Sequence, residues 1–262
     1  MRYRQSFAKV ELHFSSQFNI LRFFQEQYDM AQTFAEKVID FNQQLTFAGN
    51  LPEGFQVINP FLDNPETMEV MRAFYRKYYN DNRKRRFLIG INPGRHGAGV
   101  TGIPFTDTKR LESACGITMQ SAHTHEVSSL FIYDMIEAYG GVTPFYRDFY
   151  INSPFPLAII RRTNGGSWRN ANYYDDPALF EAVKGFMIDS LKLHIALGLD
   201  TCEVFVLGKK NAEFIGRLND EEKLFEKLTV LEHPRFIQQY KSKEKQAYIK
   251  KYLRAFCNGE NS

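Results

Sequence analysis

The apolar residues of this chain fall into two rhythms. From about Asn19 to Leu45, the residues Ile20, Phe23, Phe24, Tyr28, Ala31, Phe34, Ala35, Val38 and Ile39 recur at three- and four-residue steps, which predicts one or two helices. Residues 1–14 are mixed and predict no element. Gly49 to Pro65 reads as loop, punctuated by Gly54, Pro60 and Pro65. Pro65-Glu66 opens a helix to about Asn80, with Met68, Met71, Phe74 and Tyr78 on its core face. Further helices are predicted over Glu126–Tyr139, over Pro144–Phe149, onward from Asp176-Pro177, through Ala212, Ile215 and Leu218, and over the Lys-rich tail Gln239–Phe256. Between them lie short apolar runs of the kind that buried strands show: Phe87–Ile91, Phe155–Ile160, Val204–Leu207 and Leu228–Leu231. Strands alternating with helices predict an α/β three-layer sandwich around a four-stranded, mostly parallel sheet. One domain is expected over residues 1–262, with 1–30 as an N-terminal extension.

Where the apolar rhythm stops, the residues become distinctive. The first strand breaks at Asn92-Pro93-Gly94, followed by Gly97, Gly99 and Gly102 and then Thr101-Gly-Ile-Pro-Phe105. So many glycines cost conformational entropy unless something approaches the backbone closely. The spacing is not a dinucleotide fingerprint, and no Lys-Ser/Thr follows as a triphosphate loop requires. In open α/β sheets the site lies beyond the carboxyl ends of the strands. Asn92 follows strand one, His233 follows strand four, and Asn152 precedes strand two, so an amide, an imidazole and a second amide converge beside Phe105. Each has an ordinary reading as well: a loop histidine, or local turn chemistry for the asparagines. The loop Arg161–Asp176 is polar, long for a βα connection and expected on the same rim. The run Arg83–Arg86 lies at the opposite, amino end of strand one and reads as a solvated face.

Composition narrows this modestly. A net charge of +3 does not by itself argue for nucleic acid, and 44% apolar residues suffice for a full core. Cys115, Cys202 and Cys257 are far apart, without pairing or metal spacing, so a reduced, cytoplasmic setting is expected. The start MRYRQSFAKVELHF lacks a signal peptide's apolar core, and no apolar run reaches the roughly 18 residues of a membrane span. His123 and His125 flank Thr124, but no acidic or Cys partner stands at metal spacing, so no metal or other cofactor is expected. Trp168 reads equally as a packed loop aromatic and as a stacking residue.

The motifs together resemble the SMUG-type uracil-DNA glycosylases, most closely their bacterial second branch. That family reads G-M-N-P-G, a Gly-rich link, then T-G-V-P-F; here GINPG is followed at the same spacing by TGIPF. Glu126-Val127-Ser128 matches the family's helix-opening Glu-Val-Ser. Asn152 in YINSPFPL matches its Asn before a Pro, and His233-Pro234 its final motif. The resemblance runs from about residue 31 to 256. It implies a metal-free, monofunctional enzyme, expected to act as a monomer, that hydrolyses the N-glycosidic bond of uracil in DNA. By the same resemblance Asn92 positions water, Phe105 stacks on the extruded base, Asn152 reads the uracil edge and His233 donates to O2. The backbone at Ile91 and Gly94 lines the pocket. The last motif departs from the family's His-Pro-Ser-Pro-Arg: here Arg235 and Phe236 stand where a loop wedges into duplex DNA. Single-stranded DNA is therefore the firmer partner and duplex the open one. A non-catalytic single-strand binder on the same scaffold is the alternative, with hydrolysis of a free nucleoside a third reading.

Overall fold

A computed structural model describes residues 32–258. The first helix, α1 (Phe34–Gln44), is capped by the Thr33 hydroxyl, which accepts from the Glu36 N–H. The segment expected as loop contains a strand, β1 (Phe55–Ile58), and a one-turn helix, α2 (Pro60–Asp63). The helix expected from Pro65 is α3 (Pro65–Tyr78), its start set by the Asn64 side chain and by Pro65 in its first turn. The predicted N-terminal extension and the helical pattern before residue 32 lie outside the described residues.

The central sheet contains four parallel strands, in the order β3 (Phe149–Asn152), β2 (Arg85–Ile89), β6 (Leu199–Leu207), β7 (Lys227–Leu231). The fold class read from the sequence holds, but one strand was misplaced. The expected second strand, Phe155–Ile160, is not in this sheet. Its place is taken by Phe149–Asn152, directly after the short helix α7 (Val142–Asp148). Pro154 and Pro156 lack the N–H groups that a central ladder needs, so the chain leaves the sheet there. From Ala158 it forms β4 (Ala158–Arg162), which pairs antiparallel with β1 and with β5 (Trp168–Ala171) in a second, three-stranded sheet. The long polar "loop" is thus largely a hairpin, with the Thr163 N–H donating to the Ser167 carbonyl and Gly166 at φ +78° in its turn.

The remaining helices are α4 (Ala98–Thr101), α5 (Thr108–Ser113), α6 (Val127–Tyr139), α8 (Pro177–Ala196), α9 (Lys209–Glu222), α10 (Pro234–Tyr240) and α11 (Lys245–Asn258). The segment after His233, expected as a loop, is the helix α10. The core gathers on the sheet, where Phe87, Leu88, Ile89 and Val204–Leu207 are all fully buried.

The charge run at the amino end of β2 is only in part the solvated face expected: Arg83 and Lys84 are exposed, while Arg85 and Arg86 turn inward. Arg85 is 0% exposed. Its Nε donates to the Tyr146 carbonyl at 2.9 Å, its Nη2 to Asp81 at 3.1 Å, and its guanidinium lies over the Phe34 and Tyr79 rings. Arg86 spreads over the Phe149 ring and donates to the Phe256 carbonyl. Planar, weakly hydrated guanidinium groups tolerate such burial where a lysine would not. The Arg85 partner Asp81 is 36% exposed and also pairs with Arg83, so removing Arg85 strands no buried charge but leaves the Tyr146 carbonyl without its donor. Arg85→Ala is therefore expected to cost about 1–3 kcal/mol in chemical denaturation; an unchanged stability would mean that the buried guanidinium contributes little.

Candidate active site

The carboxyl ends of the parallel strands open onto a cavity of about 720 Å³. Ile91, Asn92, Gly94 and Phe105 line it from the β2 side, and Asn152 from the end of β3. His233, Arg235 and Phe236 close it from the β7 side. All eight residues singled out from sequence therefore face one hollow. Asn152 was expected to enter from a loop before a strand. It is instead the last residue of β3, paired with Ile89, and its carbonyl accepts from the Gly90 N–H at 2.7 Å. That register puts both asparagines on the same rim.

Each side chain is held by identifiable partners. The Asn92 carboxamide donates from Nδ2 to the Ala171 carbonyl at 3.0 Å, and its Oδ1 accepts from the Tyr173 N–H at 3.2 Å. An amide oxygen accepts twice, so one lone pair remains for a further donor. The Asn152 amide is fixed in the same manner, Oδ1 accepting from the Ser153 N–H and Nδ2 donating to the Tyr150 hydroxyl at 2.7 Å. One N–H and one lone pair are left over.

Phe105 sits at φ +53°, a backbone conformation that costs a non-glycine residue about 1–3 kcal/mol. The loop is braced there by the Thr101 hydroxyl, which donates to the Thr106 carbonyl at 2.6 Å. Gly90 makes room for the ring: a Cβ at that position would lie 3.1 Å from the Phe105 edge. Across the hollow, the Phe105 and His233 rings stand 5.9 Å apart between centroids.

His233 is the N-cap of α10, and its Nδ1 accepts from the Arg235 N–H at 3.2 Å. A ring nitrogen that accepts carries no proton, so in the neutral ring Nε2 is the N–H. Burial, aided by the nearby Arg235 guanidinium, lowers its pKa to about 4. The imidazole is thus a neutral hydrogen-bond donor at physiological pH.

In the sequence Glu126 reads only as the opening of a helix. It is the N-cap residue of α6, and its carboxyl group lines the cavity. A Cβ at Gly97 would lie 2.2 Å from its Oε2, which explains one of the glycines. The mouth also carries Lys209, Lys210 and Tyr240, none anticipated from sequence. Tyr240 is 74% exposed and Phe236 42%, with their rings 5.8 Å apart on α10. Lys210 lies over the Tyr174 ring. Trp168 is not among the lining residues; its carbonyl accepts from Arg95. His125 contacts Arg110 through Nδ1 at 2.8 Å.

The family model for the uracil DNA glycosylase superfamily matches residues 76–257. The chain belongs to that superfamily. A solved structure described as wild-type Pedobacter heparinus SMUG2 is 48% identical, with a TM-score of 0.86 over 88% of this chain and 99% of the other. The likeness to SMUG-type enzymes read from four ordered motifs is therefore borne out, along with the α/β fold. No curated protein matches. Among the described residues no helix of this glycosylase-family protein is long and apolar enough to cross a membrane.

The pinned imidazole has a direct test. Titrating the ring-labelled protein by NMR should show His233 neutral, with its proton on Nε2, down to about pH 4. A transition near pH 6.5 would contradict the assignment.

Proposed function

We propose that this protein is a monofunctional uracil-DNA glycosylase that hydrolyses the N-glycosidic bond and leaves an abasic site. The observation that carries the reading is the neutral His233 donor facing the same small hollow as two immobilised carboxamides and a phenyl ring. A base within a duplex is out of reach of such a hollow, so it must be extruded or taken from single-stranded DNA.

In this reading the pyrimidine stacks on Phe105, a contact worth about 1–3 kcal/mol per base. The remaining N–H and lone pair of Asn152 match the O4 acceptor and N3–H donor of uracil. Cytosine, with a donor at position 4 and an acceptor at N3, mismatches both. As the glycosidic bond lengthens, negative charge gathers on O2 of the departing base, where the His233 Nε2–H meets it. Because the ring is already neutral, it stabilises that charge by a hydrogen bond, without proton transfer. Asn92, with one free lone pair, orients the water. The backbone at Ile91 and Gly94 lines the pocket.

Lys209, Lys210, Arg235, Phe236 and Tyr240 at the mouth suit a single strand, since cations beside exposed aromatics hold bases of any sequence. Duplex DNA, an intracellular bacterial setting and a monomeric state belong to the same proposal.

Alanine at Asn92 or His233 should each lower uracil release from a labelled oligonucleotide by about 10²–10³-fold, with the fold intact. Full activity in both variants would reject the reading. DNA binding without release of any deaminated base by the wild-type protein would favour a non-catalytic binder instead. Asn152→Asp should admit cytosine, because a carboxylate accepts from its amino group. An unchanged preference for uracil would remove Asn152 as the reader.

A further inference from the structure

Hydrolysis of a glycosidic bond consumes a water, and one of its protons must go somewhere. Asn92 is an amide and is no base at neutral pH. His233 spends its Nδ1 on the Arg235 N–H and presents only a donor to the hollow. Of the carboxylates lining the cavity, Glu232 is paired with Lys251 at 2.8 Å. Glu126 has no ion pair among the described residues, and its buried Oε2 has no hydrogen-bond partner there. A buried carboxyl oxygen without a partner is costly unless it has work to do.

We infer that Glu126 is the general base of this site, taking a proton from the water that Asn92 orients. The inference rests on the glycosylase reading above. Its carboxyl group reaches the loop that carries Asn92: Oε1 lies 3.0 Å from where a Cβ of Gly94 would stand, with the Asn170 amide beside it. In the reaction the water oxygen bonds to C1′ of the sugar while the C1′–N1 bond breaks. The bonding pair leaves on the base and is held at O2 by His233. The water's proton goes to Glu126, which returns it to the base or to solvent, so the products are the free base and the sugar hydroxyl.

The surroundings of Glu126 keep it available. Asp107 is fully buried, and its carboxyl oxygens accept from the Glu126 N–H, the Ser129 hydroxyl, the Arg110 N–H and the Arg110 side chain. His125 stands 3.6 Å from the same carboxylate. From α10, Arg235 supplies the opposing positive charge. Burial first, then the negative charge of Asp107, raise the Glu126 carboxyl to about 7 against the pull of Arg235. A general base works best with its pKa near the working pH.

The base must be ionised, so uracil release should rise with pH through about 7 and level off above it. His233 is already neutral across that range. Glu126→Gln keeps the shape and loses the base. It should lower kcat by about 10²–10⁴-fold with KM little changed, and remove the limb near pH 7. Because ionising this buried carboxyl opposes folding, the Gln variant should melt no lower than wild type at pH 8; a residue kept for structure would melt lower. Wild-type release that is flat between pH 5 and 8, or a Gln variant as active as wild type, overturns the inference while leaving the glycosylase reading intact. A wild-type enzyme that releases no base overturns both.

Discussion

The site depends on one clamp. The Asn92 carboxamide, at the carboxyl end of β2, is gripped by the Ala171 carbonyl and the Tyr173 N–H at the end of β5. That contact joins the two sheets: the parallel one that raises the rim, and the antiparallel one whose hairpin closes over it. Without the hairpin Asn92 would be an amide on a glycine-rich turn, free to rotate. With it, the side chain is left one lone pair in a defined direction. Preorganisation of this kind lets a weakly polar group guide a reaction, because orientation is settled before substrate arrives.

The same logic shapes the rest of the pocket, at a cost in stability. Phe105 holds a left-handed backbone, Gly90 gives up a side chain so that the phenyl ring can lie against the sheet, and Glu126 leaves a carboxyl oxygen without a partner. The framework offsets these costs at the other end of the sheet. There Arg85 is buried and Arg86 half-buried against aromatic rings and carbonyls, and Phe149 in turn packs on Phe145 and Phe256. The strained Phe105 and the unsatisfied Glu126 oxygen thus both stand at the carboxyl rim, where the cavity is.

Much of this was legible in the sequence because the signals were local. The strand that ends in GINPG, the His-Pro after the last strand and the Pro-capped helices each carry their own turn or cap chemistry. What was not legible depends on long-range pairing. An apolar run such as Phe155–Ile160 reads the same in either sheet; two prolines and the pairing of Phe149–Asn152 with β2 decide its place. The arginine run reads as solvated because no rule of spacing reveals that Phe34, Tyr79 and Asp81 will surround it. Glu126 was visible as a motif residue but not as a pocket residue. Its role depends on Gly94 and Gly97, about thirty residues away, leaving space for its carboxyl group.

The central claim, that these side chains close around one pyrimidine, is tested most directly by a crystal structure. The impaired Asn92→Ala variant would be solved with an oligonucleotide carrying a single deoxyuridine. The account predicts the uracil stacked on Phe105, its N3–O4 edge against the Asn152 amide and its O2 about 3 Å from His233 Nε2. A base left outside the cavity, or seated with that edge turned away from Asn152, would contradict it.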